Sequence, residues 1–334
     1  MNRHTTLLAA LLTSAGVMGQ APATDPVASG VKGIHHVSLS VRNLDRAVQF
    51  YTNAIGLAEV QRYRIDKPLA AEQKNGTRHV SRNVSLLRGP NGQLELNEFD
   101  GAAAQPASSM PIPGPGITHV CYQAPAASDL YGKTKAAGGS IVSRGSAPVD
   151  RGYGIQYAYA KDPDGILYEL ERLDKPPFTD AVWLGHVALV TPDIDRLVKF
   201  YTQLLGVSPR NRMDNIRNSP KLDDIAGIDS LRLRAAWFSV GNMTLEIWQF
   251  ENPPTHARPA PLPFTQIGYN QISFEVGNLR RTHERLQRAG FTFLSAPVAD
   301  AGSTAVLLRD PDGNLLKLEE VPADASINQL KRPE

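Results

Sequence analysis

The feature that most constrains this chain is that it repeats itself. Residues 44–57 (LDRAVQFYTNAIGL) and 194–207 (IDRLVKFYTQLLGV) share Asp45/Asp195, Arg46/Arg196, Phe50/Phe200, Tyr51/Tyr201 and Gly56/Gly206, 150 residues apart. The tetrapeptide DPDG stands at 162–165 and again at 310–313, 148 residues apart. Two such spacings in a chain of 334 residues mean a duplication, with halves at 33–173 and 184–321. The length agrees with two domains.

Each half divides again. HVSLSV (36–41), HVCYQA (119–124), HVALV (186–190) and QISFEV (271–276) are short alternating runs rich in β-branched and aromatic residues, and each reads as a strand. A helical pattern follows: Leu44, Ala47, Val48, Tyr51 and Ile55 recur at helical spacing, and Gly56 stands where a helix stop belongs. Later strands carry Glu between apolar residues, at Glu95, Glu169 and Glu246, whereas the last unit has Lys317 there. DPDG is a turn feeding the final strand. The reading is an α+β chain of four βαβββ modules, at 33–100, 116–173, 184–250 and 268–321. Proline-rich connectors join modules within a half, and 174–183 joins the halves.

Side chains alternate faces along a strand. Val37, Leu39 and Val41 form the core-facing set, so His36, Ser38 and Ser40 face the other way. Glu95 and Asn97 oppose Leu94 and Leu96 in the same manner. His36 with Glu95, His119 with Glu169, and His186 with Glu246 thus leave the core face together. A single strand His or Glu is ordinarily structural or solvated, but three of four modules keep both. Imidazole nitrogen and carboxylate oxygen suit one divalent transition metal, Zn²⁺, Ni²⁺, Fe²⁺, Mn²⁺ or Co²⁺.

Composition narrows the alternatives. Lys and Arg number 35 against 33 Asp and Glu, apolar residues make up 42% and charged residues 20%, which excludes a disordered chain. No long basic run marks a nucleic-acid binder. Residues 1–23 combine Arg3, an apolar run from Leu7 to Met18 and small residues at Gly19, Ala21 and Ala23, the pattern of a secretory signal peptide. The run is shorter than the ~20 residues a membrane-spanning helix needs. The expectation is an exported protein, periplasmic or secreted and soluble, with His4 inside the leader. Cys121 is the one cysteine, so it forms no internal disulfide, and it reads as a small buried residue.

Among other residues, His35 falls on the core-facing side by alternation and reads as structural. His79, His256 and His283 lack partners at metal spacing and read as exposed. Ser38, Ser40, Asn97 and Gln123 share the ligand face and are candidates to line the cleft. Arg62, Arg64 and Arg78 read as solvated surface.

With GIHHVSLSV, LDRAVQFYTNAIGL, LEL, GITHVCYQA, DPDGILYEL and their second-half copies in view, the chain resembles the vicinal oxygen chelate superfamily. That superfamily holds glyoxalase I, extradiol dioxygenases, epimerases and bleomycin-resistance proteins. The resemblance implies two tandem glyoxalase-like domains, each an incomplete curved β-barrel, and spans nearly the whole chain after the leader. Carried over residue by residue, it implies metal ligands His36, Glu95, His119 and Glu169, with Glu169 and Glu95 as catalytic carboxylates. An extradiol dioxygenase uses two His and one Glu, matching His36, His119 and Glu169. These sets assume that modules pair in order. If the second and third modules pair instead, the complete quartet is His119, Glu169, His186 and Glu246. Gln271 and Lys317 then impair whichever site includes the fourth module.

The activity implied is metal-dependent isomerisation, lysis or epimerisation of a small oxygenated substrate by enediolate proton transfer. Glyoxalase I has Arg and Asn for glutathione four residues beyond its first His and Glu, where this chain has Ser40 and Phe99, so glutathione dependence is not expected. The alternatives are an Fe(II) ring-cleaving dioxygenase and a non-catalytic binding protein. The expected partner is a small molecule, acting on a monomer or homodimer.

Overall fold

A computed structural model describes residues 29–66, 80–300 and 302–333. The expected leader, Arg78 and His79 lie outside the described residues. The first module runs β1 (Val31–Ser40), α1 (Leu44–Phe50), β2 (Ala58–Ile65), β3 (Arg82–Arg88) and β4 (Gln93–Phe99). The second runs β5 (Gly116–Pro125), α2 (Leu130–Ala136), β6 (Ser140–Ile141), β7 (Val149–Gly152), β8 (Ile155–Lys161) and β9 (Leu167–Leu173). The third runs β10 (Trp183–Val190), α3 (Ile194–Leu205), β11 (Asn211–Arg217), α4 (Pro220–Ala226), β12 (Arg232–Val240) and β13 (Met243–Asn252). The fourth runs β14 (Gly268–Val276), α5 (Leu279–Arg288), β15 (Val298–Asp300), β16 (Ser303–Arg309) and β17 (Leu315–Glu320).

Local chemistry sets these elements. Asn43 and Asp193 cap α1 and α3 by accepting the amides of Arg46 at 2.8 Å and Arg196 at 3.0 Å. After α1 the chain makes a wider turn, Tyr51–Ile55, that ends at Gly56 with φ 88°. That left-handed conformation is one glycine adopts without steric cost. Each DPDG turn folds onto the helix of the preceding module: Tyr51 donates its hydroxyl to Asp162 at 3.0 Å and Tyr201 to Asp310 at 3.1 Å. The apolar sides of all four modules meet in one core, with Val37, Leu96, Val187 and Leu318 fully buried.

Two curled sheets result, and their membership decides where a site can form. One has eight strands in the order β15-β16-β17-β14-β1-β4-β3-β2, so the first module joins the fourth. The other has nine strands and follows β11-β12-β13-β10-β5-β9-β8-β6, with β7 also paired to β8, so the second joins the third. The seams are antiparallel pairings of β1 with β14 and of β5 with β10. The in-order pairing expected from the sequence is therefore corrected. The leading strands of all four modules carry one apolar face and one polar face, so either partner satisfies the hydrophobic pattern. Asn91 and Asn242, at matching hairpin tips, tie the two sheets together: Asn91 Nδ2 donates to Leu184 O at 2.7 Å and Asn242 Nδ2 to Ile34 O at 2.9 Å.

Candidate metal centre

In the nine-stranded sheet, β5 supplies His119, β9 Glu169, β10 His186 and β13 Glu246. Register brings them together: Ala188 lies opposite His119 and His186 opposite Cys121, while Glu169 sits beside Cys121 and Glu246 beside Ala188. The two imidazole Nε2 atoms are 3.4 Å apart. Glu169 Oε2 is 3.1 Å from His119 Nε2 and 3.5 Å from His186 Nε2, and Glu246 Oε2 is 3.1 Å from His186 Nε2. All four side chains are buried.

Neighbours hold these groups in place. Tyr157 donates its hydroxyl to Glu169 Oε2 at 2.6 Å, and Trp237 donates its indole N–H to Glu246 Oε1. Thr118 Oγ1 lies 3.0 Å from His119 Nδ1, turning the Nε2 edge toward the cluster. Glu246 Oε2 is buried and accepts no hydrogen bond. A buried carboxylate oxygen of this kind needs a cation beside it, which is the His186 imidazolium or a metal ion in place of its proton. Burial alone would lower the proton affinity of His186, but Glu246 and Glu169 outweigh it and push its pKa up to about 10. Burial likewise opposes ionisation of Glu169, yet His186 and His119 hold its carboxyl well below the usual range. Two imidazole nitrogens and the Glu169 oxygen converging on one buried point, with the Glu246 carboxylate beside His186, fit a divalent transition metal.

In the eight-stranded sheet the expected quartet does not assemble. His36 and Glu95 share this sheet with Gln271 and Lys317, while His119 and Glu169 belong to the other. His36 Nε2 is 3.6 Å from Glu95 Oε2, and Glu95 Oε1 is taken by the Ser38 hydroxyl at 3.0 Å and the Asn97 amide at 3.1 Å. Lys317 Nζ is 3.0 Å from Glu319 Oε2. Burial opposes ionisation of Glu95, but His36 and Lys317 hold its pKa down to about 2. Burial dominates at His36 and drives its pKa down to about 4, against the pull of Glu95 and Glu319.

His35 departs from the alternation argument. It is buried with its Nδ1 2.8 Å from His36 Nδ1, because β1 bulges between Ile34 and His36. Of the candidate lining residues, Ser38 and Asn97 hold Glu95, Ser40 donates to Phe264 O at 2.8 Å, and Gln123 Nε2 donates to Glu171 Oε2 at 2.5 Å. Cys121 is fully buried. Arg62 pairs with Asp45 and Glu59, and Arg64 with Asp66 and Asp100, at the surface. His256 is exposed, but His283 is half-buried against the Phe293 ring at 4.3 Å. The sequence reading missed Tyr157, Trp237, Glu171 and Glu319. Trp237 faces Glu246 directly across two strands, a register visible only once the hairpin is placed.

Two curled sheets, each built from two βαβββ-type modules (the second with one more short strand, the third with one more helix) and with ligand-type side chains in the curve, define a class of α+β proteins. Residues 33–170 and 183–318 match the Glyoxalase/Bleomycin resistance protein/Dioxygenase superfamily, and the chain belongs to it. A putative lactoylglutathione lyase of Brassica oleracea var. gemmifera is 35% identical over 182 residues, 54% of this chain and 56% of that protein. A lactoylglutathione lyase of Arabidopsis thaliana is 34% identical over 177 residues, 52% of this chain and 54% of that one. The chain thus spans about half the length of the curated relatives it matches. Glyoxalase I from Zea mays superposes with TM-score 0.60 at 20% identity, covering 86% of this chain and 92% of that one. A putative dioxygenase from Bacillus subtilis superposes with TM-score 0.57 at 13% identity, covering 91% and 92%. These two likenesses establish the fold. No helix among the described residues is long and apolar enough to cross a membrane.

Proposed function

We propose that the chain is a divalent-metal-dependent enzyme of the glyoxalase-I type, an isomerase, lyase or epimerase acting on a small hydroxy-carbonyl compound. The metal ligands are His119, Glu169, His186 and Glu246. The observation that carries this reading is the convergence of His119, Glu169 and His186 on one buried point, with Glu246 Oε2 beside His186 and left without a hydrogen bond. An ion held by these residues would supply Lewis acidity, which would acidify a C–H next to a substrate oxygen.

The chain's own residues do the rest. Glu169 Oε2 is engaged by both imidazoles and by Tyr157, so it is the fixed carboxylate. Glu246 Oε2 meets His186 and no hydrogen-bond donor among the described residues, so Glu246 is the less tightly held carboxylate and the one assigned to take the substrate proton and return it to the adjacent carbon. Trp237 holds the other oxygen of Glu246 and aims the carboxylate. Burial excludes water from the transfer and strengthens each charge interaction.

The substrate class follows from what flanks the ligands. Four residues beyond them stand Gln123, Leu173, Val190 and Phe250, none of them an arginine, whereas Arg210 lies close enough to Glu246, and Arg151 to Glu171, to feel their charge. The absence of the arginine position used for glutathione supports a small substrate without a glutathione moiety, and the two arginines suit one that carries an anionic group. Solvent deuterium should enter the α-carbon of such a hydroxy-carbonyl with metal-loaded protein, and Glu246→Gln should stop it. Oxygen uptake with catechols on the Fe²⁺-loaded protein, with no deuterium exchange, would replace this reading by a ring-cleaving dioxygenase.

A further inference from the structure

The eight-stranded sheet lacks two ligand-type residues of the quartet and has others in their place. In β1, Ile34 pairs with Phe274 and His36 with Ser273, so His35 is the extra residue of a bulge. The same irregularity in β10 falls at Gly185, which brings no side chain. A bulge re-aims the side chain it inserts. Both imidazoles of β1 consequently turn their Nδ1 edges to one spot, 2.8 Å apart, and Glu319 of β17 completes it. Glu319 Oε1 is 3.0 Å from His35 Nδ1 and 3.4 Å from His36 Nδ1. All three residues are buried.

Their surroundings suit ligands. His35 Nε2 is 3.1 Å from the carbonyl of Ala325, and a carbonyl only accepts, so this nitrogen carries a hydrogen and Nδ1 is the cation-binding atom. A ligating histidine anchored through its other nitrogen to a carbonyl is the usual outer arrangement of a metal site. Glu319 is steadied through its far oxygen by Lys317 at 3.0 Å, and Ser273 donates to the near one.

We infer that His35, His36 and Glu319 form a second divalent transition-metal site, using the Nδ1 edge of His36 instead of the Nε2 edge that faces Glu95. Two nitrogens and one carboxylate oxygen select Fe²⁺, Co²⁺, Ni²⁺ or Zn²⁺ over Mg²⁺ or Ca²⁺. The site is independent of the proposed function, since it shares no residue with the quartet.

The test is metal stoichiometry of the full chain, stripped by chelator and reloaded with Co²⁺ alone, read by mass spectrometry of the metal and by d–d absorption. The expected result is two ions per chain. His35→Asn and Glu319→Gln should each lower that to one, and His186→Asn should remove the other. Glu319→Gln keeps the side chain's shape, so a loss there with unchanged circular dichroism is loss of a ligand. One ion per chain that survives both His35→Asn and Glu319→Gln but not His186→Asn overturns the second site and leaves the proposed function standing. One ion lost with His35→Asn and indifferent to His186→Asn supports the second site and contradicts the proposed function.

Discussion

The nine-stranded and eight-stranded sheets share one architecture and, of four matched positions that could hold a metal, differ at two. In the first, β5, β9, β10 and β13 present His119, Glu169, His186 and Glu246. In the second, β14, β17, β1 and β4 present Gln271, Lys317, His36 and Glu95. The apolar faces behind both sets remain equally buried, with Val120, Leu170, Val187 and Leu245 matched by Ile272, Leu318, Val37 and Leu94. The core needs those alternating apolar residues and is indifferent to what the opposite face carries. A cleft can therefore change its chemistry while its sheet keeps its packing.

The largest separation between the clefts should appear on removing a carboxylate. Glu246→Gln is expected to lower turnover by about 10²–10⁴-fold, the scale of a lost general base. Glu95→Gln, its counterpart, is expected to leave turnover within about twofold, a change too small to reflect direct participation. Steady-state kinetics on the two variants checks this, and equal losses would break the comparison.

A smaller effect is expected from the groups that hold the ligands. Tyr157 is absent from the other sheet, where Ala305 occupies the matching place five residues before the DPDG turn, and Leu86 faces Glu95 where Trp237 faces Glu246. Tyr157→Phe should weaken metal affinity of the nine-stranded sheet by about 10–100-fold, as loss of an outer hydrogen bond does. Competition with a fluorescent chelator measures it. An unchanged affinity would make Tyr157 a packing residue.

The smallest predicted difference concerns the two DPDG turns, where the halves should behave alike. Burial raises Asp162 to about 7 and Asp310 to about 6 from an ordinary value of 3.8, despite hydrogen bonds that favour the anion. A carboxyl raised in the folded state contributes stability below its unfolded pKa, and that contribution is lost as pH rises through the folded value. Asp162→Asn should therefore flatten the fall in stability between pH 4 and 7, and Asp310→Asn that between pH 4 and 6. Urea denaturation across that range reads the difference, and a wild-type protein that gains stability relative to the variants as pH rises would contradict it.

What was legible in the sequence was whatever a periodic pattern fixes. The matched FYT segments and DPDG turns mark four modules, and the alternation in HVSLSV and LELNEF places His36 and Glu95 on one face. Pairing was not legible. Strand edges join through backbone groups that carry no residue code, and β1, β5, β10 and β14 offer alike faces. His35 was misplaced for a related reason, because a bulge breaks the two-residue period by inserting a residue that no local pattern announces. Tyr157 and Trp237 reach their carboxylates across strand neighbours, and their roles depend on register.

The most direct test of the account is anomalous diffraction from crystals loaded with Zn²⁺, with data on both sides of its absorption edge. A peak is expected at about 2.0–2.2 Å from His119 Nε2, His186 Nε2 and a carboxylate oxygen each of Glu169 and Glu246, the usual zinc bond lengths. No ion within bonding distance of those four groups would contradict the assignment, as would one held jointly by His36 and His119.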